Sequence, residues 1–194
     1  MKFEPWQFLV AFLPAVWAYG SGPPTAQQPD LCVTMLPGHG TSTATGTLPY
    51  ALQLSTDQYK KGETIDVTVY AKADDDYFRG FFVQARRSGD SSTDAIGSFI
   101  STSANGTQFI QCGTANSAWG HSQRLQKQTV TATWTGPSTD FGPLVFTATV
   151  VGHEAVDYWT GVVSSDVTFG SASHVKSQVF LLSLMALFAY LVRG

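Results

Sequence analysis

The sequence predicts an all-β fold, a two-sheet antiparallel sandwich that forms a single domain. Short runs of alternating apolar and polar residues recur along the chain, which is typical of strands with one buried face. Glycine and proline separate these runs, as at 136–137 and 142–143, where they would not interrupt a hydrogen-bonded ladder. Only 13% of residues are charged and 13% are aromatic, a composition that favours strands and turns over helices. Seven or more short strands at this spacing indicate a sandwich.

Five strand-like runs define the rows of side chains that we expect to face the core. The inward rows are Ile65, Val67, Val69 and Ala71; Phe81, Val83 and Ala85; Val130, Ala132 and Trp134; Leu144, Phe146, Ala148 and Val150; and Val163, Val167 and Phe169. The second run carries Phe82, Gln84 and Arg86 on its opposite face. No run shows the long 3.6-residue apolar stripe of a helix, and no internal repeat or second domain is indicated.

The first 30 residues are expected to lie outside the folded domain. Residues 1–18 are interpreted as a signal peptide, because Lys2 precedes an apolar run over 8–13 and Ala18 suits a cleavage site. The alternative is a buried N-terminal helix, which Pro5 and Pro14 would interrupt. Residues 19–30 are rich in Pro, Gln, Gly and Thr and are expected to form a flexible leader. The domain itself is predicted to span residues 31–170.

Residues 171–194 have the order of a C-terminal processing signal. A cluster of small residues is followed by a short polar spacer over 174–178 and a nearly uninterrupted apolar run over 179–192. This order is typical of a GPI-attachment signal, although the spacer is shorter than usual. The expected attachment residue is Gly170, Ser171 or Ala172. A short transmembrane tail and free secretion are the alternatives, and the apolar run is short for a membrane span.

Two further features fit a secreted protein. Cys32 and Cys112 are the two cysteines of the chain, and in an oxidising compartment they are most simply one disulfide. The alternative is a pair of free or metal-binding thiols, for which the chain lacks CxxC spacing. Asn105-Gly106-Thr107 is an N-glycosylation sequon in a natural turn sequence, so we expect a glycan on Asn105.

The composition and motifs argue against catalysis and against nucleic-acid binding. A net charge of −3 does not provide the basic patch that nucleic acids require. The chain has no nucleotide-binding glycine loop, no HExxH and no GxSxG. We therefore predict no catalytic residues, no cofactor and no metal site.

Several titratable and aromatic residues leave a second interpretation open. The histidines His39, His121, His153 and His174 lack metal-ligand spacing and are interpreted as hydrogen-bonded turn residues, with a metal or haem site assembled across loops as the alternative. The acidic run 74–76 is interpreted as a solvated hairpin loop, with a calcium site as the alternative. Trp119 and Trp159 lie beside loops, where burial is the commoner outcome and exposed contacts the alternative.

Five basic residues are candidate contacts for an anionic glycan. They are Lys60, Lys61, Arg86, Arg87 and Arg124. Such a patch requires these side chains to lie close together in the fold. The alternative is that they are separate surface charges, which contribute little.

A set of short motifs, in order along the chain, resembles the reeler (reelin N-terminal-like) domain. The motifs are Cys32, Pro37-Gly38-His39-Gly40, Tyr59-Lys60-Lys61-Gly62-Glu63, Gly97-Ser98-Phe99, Cys112, Trp134, Gly136-Pro137, Gly142-Pro143-Leu144-Val145-Phe146 and Tyr158-Trp159. The most specific stretch, over 78–86, looks like the signature strand of that family. Two features depart from the pattern, namely Trp119 where the family more often has Thr, and the apolar C-terminal tail.

The resemblance implies an immunoglobulin-like sandwich with a Cys32–Cys112 disulfide. It also implies a binding function similar to that of the small, single-domain reeler defence proteins, acting on microbial surfaces at the cell surface or after secretion. The alternatives are an adhesion or matrix protein that binds glycosaminoglycan or a cell-surface receptor, and an accessory metal- or haem-binding redox protein. Reductase-like relatives carry further domains that this chain lacks, so the resemblance does not extend to reductase activity.

Overall fold

The computed structural model describes residues 20–38, 40, 42, 44–89, 94–154 and 156–170. Over this part of the chain the structure contains one short helix and eleven strands. They are α1 (Leu31–Thr34), β1 (Tyr50–Leu54), β2 (Gln58–Tyr59), β3 (Thr64–Ala71), β4 (Gly80–Arg87), β5 (Ser98–Thr102), β6 (Thr107–Cys112), β7 (Thr114–His121), β8 (Thr129–Thr135), β9 (Leu144–Val151), β10 (Tyr158–Val163) and β11 (Thr168–Phe169).

The strands form the two-sheet sandwich that the sequence predicts. One sheet has the order β1-β3-β8-β5 and the other has the order β10-β9-β4-β7-β6. Every pair within these two sheets is antiparallel. A third pairing, between β2 and β11, is parallel and lies outside both sheets. Side chains from both sheets share one core, so the all-β fold class is confirmed.

The alternating pattern correctly predicts the inner face of three strands. β3 buries Ile65, Val67 and Val69, whereas Thr64 and Asp66 are exposed. β8 and β9 bury their predicted rows in the same way. At the centre of the core, the ring of Trp134 packs edge-on against that of Phe146, with centroids 5.1 Å apart.

Trp119 also lies in this core rather than at the surface. Its side chain is fully buried and packs edge-on against Phe81, with ring centroids 4.7 Å apart. Trp159 is half-buried and packs edge-on against Tyr50, with ring centroids 5.3 Å apart. The commoner outcome, burial, therefore applies fully to Trp119 and in part to Trp159.

The predicted inward position of Val163 is wrong. Its side chain is 58% exposed, whereas Val162 is fully buried. The pairing of β10 with β9 shifts register between Trp159 and Val162, and Gly161 there has a φ of +66°. Because side chains alternate across a strand, this one-residue bulge reverses which face each later side chain occupies.

β4 is buried on both faces, because an N-terminal segment covers its outer side. This segment, residues 20–38, is called the strap below. A disulfide joins Cys32 of the strap to Cys112 at the end of β6, with Cα atoms 5.4 Å apart. Beneath it, Phe82 is 5% exposed and Gln84 is fully buried. The outer face of this sheet is therefore a second, smaller apolar layer rather than a solvated surface.

Part of the expected flexible leader belongs to this strap. The Nε2 atom of Gln108 donates a hydrogen bond of 2.9 Å to the carbonyl oxygen of Ser21. Gly22 is buried and has a φ of +105°, and a Cβ added there would lie 2.3 Å from the carbonyl oxygen of His121. Composition did not indicate that residues 21 and 22 pack against the sheet. Their contacts join residues about 90 positions apart, whereas periodicity reports only on neighbouring residues.

The connections between strands lie at the two ends of the sandwich. Each end is named after one of its residues, Tyr77 or Gly170. The Tyr77 end comprises the connections 72–79, 103–106, 122–128, 152–154 and 156–157. The Gly170 end comprises 55–63, which includes β2, together with 88–89, 94–97, 136–143 and 164–170, which includes β11. Strand direction places the two sets at opposite ends, because all neighbours within the two main sheets are antiparallel.

Candidate functional site

The Tyr77 end carries a cluster of one carboxylate, two rings and one guanidinium. The Oδ1 atom of Asp76 accepts a hydrogen bond of 2.7 Å from the backbone N–H of Tyr77 and lies 2.9 Å from Nε2 of His153. The rings of His153 and Tyr77 stack with centroids 4.0 Å apart and an angle of 12° between their planes. Nη1 of Arg79 donates a hydrogen bond of 2.8 Å to the carbonyl oxygen of His153, and its guanidinium lies 5.5 Å from the Tyr77 ring centroid.

The side chains of this cluster are held in place by one another. Asp76 and Tyr77 are half-buried and His153 is exposed, so charged, aromatic and hydrogen-bonding groups reach solvent together. The mutual contacts hold the side chains in one arrangement, which lowers the entropy lost when a ligand binds. The cluster includes no serine, cysteine or lysine that the histidine could activate as a nucleophile.

A small apolar cleft lies between the strap and the sheet that contains β4 and β9. It opens to solvent, and its walls include Pro23, Met35 and Phe82. Its two polar side chains are engaged within the protein. The hydroxyl of Thr149 donates to the carbonyl oxygen of Met35 at 2.6 Å, and Nδ1 of His121 lies 3.2 Å from the backbone N and O of Phe81. The cleft therefore offers mainly apolar contact.

Arg86 forms hydrogen bonds to the strap and is therefore not available as an exposed glycan contact. Its Nη2 atom donates to the carbonyl oxygens of Cys32 at 2.7 Å and Val33 at 3.0 Å. Nη2 and Nε also donate to Oε1 of Gln84. Burial lowers the pKa of Arg86 below its usual value, and the nearby carboxylate of Asp94 partly offsets this effect.

The other four basic residues do not form one patch. Lys60, Lys61 and Arg87 lie at the Gly170 end, whereas Arg124 lies at the Tyr77 end. Nζ of Lys60 is 3.7 Å from a carboxylate oxygen of Glu63. The guanidinium of Arg87 lies 5.9 Å from the ring centroid of Phe141. The five candidate residues therefore do not lie on one surface, because strand topology places Arg124 at the opposite end from Lys60, Lys61 and Arg87.

The acidic run and the two described histidines differ in part from their predicted settings. The acidic run lies in the connection 72–79, which joins β3 of one sheet to β4 of the other and is therefore not a hairpin loop. His121 is the last residue of β7 and His153 lies between β9 and β10, and both make hydrogen bonds. Asp74 and Asp75 are exposed, and Asp76 bonds to Tyr77 and His153. Over the described ranges, no group of three or more His, Cys, Asp or Glu side chains is placed to hold a metal ion. The prediction that the protein has no resident metal or cofactor stays a prediction.

His39 and His174, two of the four histidines, lie outside the described residues.

Two predicted modification sites occupy opposite ends of the molecule. Asn105 is exposed in the turn between β5 and β6 at the Tyr77 end. Gly170 is the last described residue, and its backbone N–H donates a hydrogen bond of 2.9 Å to the carbonyl oxygen of Tyr59. Ser171 and Ala172 lie outside the described residues. Within the part of the chain that is described, no helix is long and apolar enough to cross a membrane.

The structure also reveals a buried lysine that the sequence did not indicate. Lys127 is only 7% exposed, and its Nζ atom donates to the carbonyl oxygens of Gln123 at 3.0 Å and Leu125 at 3.1 Å. Burial lowers the pKa of Lys127. Because Lys127 stands between two glutamines in a polar stretch, neither periodicity nor charge pattern marks it as buried.

Comparison with known proteins identifies the family. The family model for the reeler domain matches residues 30–175. "Putative defense protein Hdd11-like" from Samia ricini is 33% identical over 162 residues, which cover 81% of this chain and 94% of that protein. Ferric-chelate reductase 1 from Mus musculus is 28% identical over 142 residues, which cover 73% of this chain and 23% of that protein.

Solved structures agree on the fold. The human F-spondin reeler domain (fragment 1) superposes with a TM-score of 0.56 at 22% sequence identity, and the match covers 68% of this chain and 96% of that domain. The Reelin-N domain of F-spondin superposes with a TM-score of 0.54 over 68% of this chain. Together with the match of the family model over most of the sequence, these findings show that the chain belongs to the reeler-domain family.

Proposed function

We propose that this protein is a non-enzymatic extracellular recognition module with a role in innate defence, and that it binds its ligand through the Tyr77 end. The observation that carries the proposal is the extent of the match to small relatives. The aligned region covers 94% of the Samia ricini protein and 94% of "Putative defense protein 3" from Antheraea mylitta. It covers only 23% of the mouse reductase, so the activity of that larger protein is not proposed for this chain.

The geometry of the Tyr77 end supports its role as the contact surface. The sandwich supplies a rigid base, and binding residues are commonly carried on loops above such a base. Tyr77, Arg79 and His153 are already held in place by their mutual contacts. A half-buried aromatic ring beside a guanidinium, as in Tyr77 and Arg79, is the kind of pair that concentrates binding energy at protein interfaces.

The position of Gly170 supports attachment of the protein to a cell surface. The described chain ends at the side of the sandwich opposite Tyr77. We infer that a GPI anchor joined at Gly170, Ser171 or Ala172 would therefore direct the Tyr77 end away from the membrane. Release of the protein from expressing cells by phosphatidylinositol-specific phospholipase C tests this inference. Retention on treated cells would instead favour the short transmembrane tail.

The binding experiment uses the protein secreted by eukaryotic cells, applied to whole microbes and to heparin at low and high salt. We expect salt-resistant microbial binding that falls at least about fivefold in Tyr77→Ala, because loss of a central aromatic contact costs more than about 1 kcal/mol. Lys61→Ala at the Gly170 end is the matched control and should bind like the unmodified chain.

Two other outcomes would contradict the defence proposal. Binding to heparin alone, fading as salt screens the charges, would favour the adhesion or matrix function. Binding to neither microbes nor heparin would indicate a protein receptor on a cell surface. Equal losses in Tyr77→Ala and Lys61→Ala would show that the Tyr77 end is not the contact surface.

A further inference from the structure

A groove of mixed polarity at the Tyr77 end begins directly beside Asn105. Its walls are formed by residues 104–105 and 126–130, with Tyr77 on the remaining side. The side chains along it include the amides of Gln126 and Gln128 and the hydroxyl of Thr129. Such a surface offers both hydrogen bonds and apolar contact to a ligand that is rich in hydroxyl and amide groups.

The turn that carries Asn105 is firmly attached to the groove. Gly106 has a φ of +67°, which suits a tight turn. The hydroxyl of Thr107 donates a hydrogen bond of 2.8 Å to the carbonyl oxygen of Ala104. The backbone N–H of Ser122 donates to the carbonyl oxygen of Gly106 at 2.8 Å, so the turn and the loop 122–128 form one unit.

Asn105 itself is exposed, and its side-chain amide makes no hydrogen bond to any residue that the structure describes. A sugar joined to that amide would therefore start at the rim of the groove without displacing an internal contact.

Two neighbouring side chains could make further contacts with a sugar, namely a hydrogen bond from Lys127 and an apolar contact with Leu125. Nζ of Lys127 donates to two carbonyl oxygens, those of Gln123 and Leu125, whereas an ammonium carries three protons. Leu125 is 44% exposed and packs against Gly106, where an added Cβ would lie 3.0 Å from its Cδ1 atom. An N-acetyl group provides both a carbonyl acceptor and a methyl for contacts of these kinds.

We propose that Asn105 carries an N-linked glycan whose first N-acetylglucosamine units dock in this groove. The covalent link confines the sugar beside its site, which gives weak contacts a high effective concentration. The docked glycan covers Leu125 and the outer wall over 126–129. Asp76, Arg79 and His153 do not line the groove, whereas Tyr77 stands between the groove and these three residues and is shared by the glycan and the ligand surface. This inference rests on the proposed passage of the protein through the secretory pathway.

The experiment compares the full chain, secreted by eukaryotic cells, before and after enzymatic removal of N-glycans, with Asn105→Gln as the permanently unglycosylated form. Intact mass measures whether Asn105 is occupied. Hydrogen–deuterium exchange then measures protection of residues 122–129. We expect exchange there to be about fivefold faster without the glycan, as for the loss of one net hydrogen bond, while exchange in β3 is unchanged.

Two matched variants separate attachment of the glycan from its docking. Thr107→Ser retains the sequon and the hydroxyl and should keep both the glycan and the protection. Gln126→Ala should keep the glycan but lose the protection, because it alters only a wall of the groove.

Three results would overturn the inference. An occupied Asn105 with no change in exchange on deglycosylation would exclude docking. A secreted protein without glycan at Asn105 would exclude attachment, whatever the microbial binding assay shows. Retained protection in Gln126→Ala would place the contact elsewhere.

Discussion

Arg86 donates a hydrogen bond of 2.7 Å from Nη2 to the carbonyl oxygen of Cys32, the residue whose side chain is bonded to Cys112. The strap is therefore held to the sheet at one point by both a covalent bond and a guanidinium. Nε2 of Gln84 reaches the same carbonyl oxygen at 3.2 Å. Gln84 and Arg86, both in the stretch over 78–86, thus hold the strap to the sheet in this chain.

Replacing Arg86 by alanine should lower the free energy of unfolding by about 2–3 kcal/mol, because it removes charged hydrogen bonds to half-buried carbonyl groups. Arg87→Ala is the matched control, because Arg87 is exposed and its guanidinium lies over the exposed Phe141 ring, and a surface contact of this kind contributes less than about 1 kcal/mol. Urea denaturation measures both values. Equal losses in the two variants would contradict the role of Arg86 in holding the strap.

Removal of the disulfide, by replacing both Cys32 and Cys112 with alanine, should cost about 4 kcal/mol, because the bond closes a long loop in the unfolded chain. The loss should combine non-additively with that of Arg86→Ala, since both changes release the same segment. A double-mutant cycle by urea denaturation measures the coupling. Strictly additive losses would mean that the guanidinium and the disulfide act independently.

Gly97→Ala should destabilise the protein by about 3 kcal/mol, combining the cost of positive φ with that of overpacking. Gly97 has a φ of +69°, and an added Cβ would lie 2.3 Å from Cζ2 of Trp134 and 2.6 Å from the carbonyl oxygen of Thr135. Gly89 has nearly the same φ, +68°, but nothing lies within 4 Å of an added Cβ.

Gly89→Ala therefore isolates the backbone cost and should lose only about 1 kcal/mol. Thermal or urea denaturation of the two variants separates packing from conformation. Similar losses for both would show that the core accommodates the methyl group beside Trp134.

Because Lys127 is buried, we expect the free energy of unfolding to rise with pH in the alkaline range. Burial lowers the pKa of Lys127 below its usual 10.5, so between the lowered pKa and 10.5 the unfolded chain binds more protons than the folded one. The free energy of unfolding therefore increases as pH rises through this window. Lys127→Met should remove that increase, as measured by urea denaturation at several pH values from about 8 to about 10.

The comparison between the unmodified chain and Lys127→Met cancels an opposing effect. Burial raises the pKa values of Tyr50 and Tyr59, so ionisation of these tyrosines lowers stability as pH rises above their usual value of 10.0. Both chains contain these tyrosines equally. An identical dependence of stability on pH in the two chains would contradict a lowered pKa for Lys127.

Several elements of the fold were predictable from the sequence because their cause is local. The alternation of Ile65, Val67 and Val69 with polar residues reports directly on a strand with one buried face. The order of short motifs from Cys32 to Trp159 likewise indicates the family, because each motif is a short run of neighbouring residues. In contrast, the prediction for Val163 is wrong because a bulge near Gly161 inserts one extra residue into β10. Strict alternation of side chains does not allow for such an insertion.

Periodicity, turn residues and ordered motifs are properties of neighbouring residues, so the all-β class, the inner face of the central strands and the reeler family can be inferred without a structure. The fold was needed to show that Arg86 holds the strap, that Lys60 and Arg124 lie at opposite ends, and that Lys127 is buried. These facts depend on which strands become neighbours and on what covers the outer face of a sheet. Strand pairing and burial are set by contacts between residues far apart in the chain, so a residue's charge or position in the sequence does not specify them.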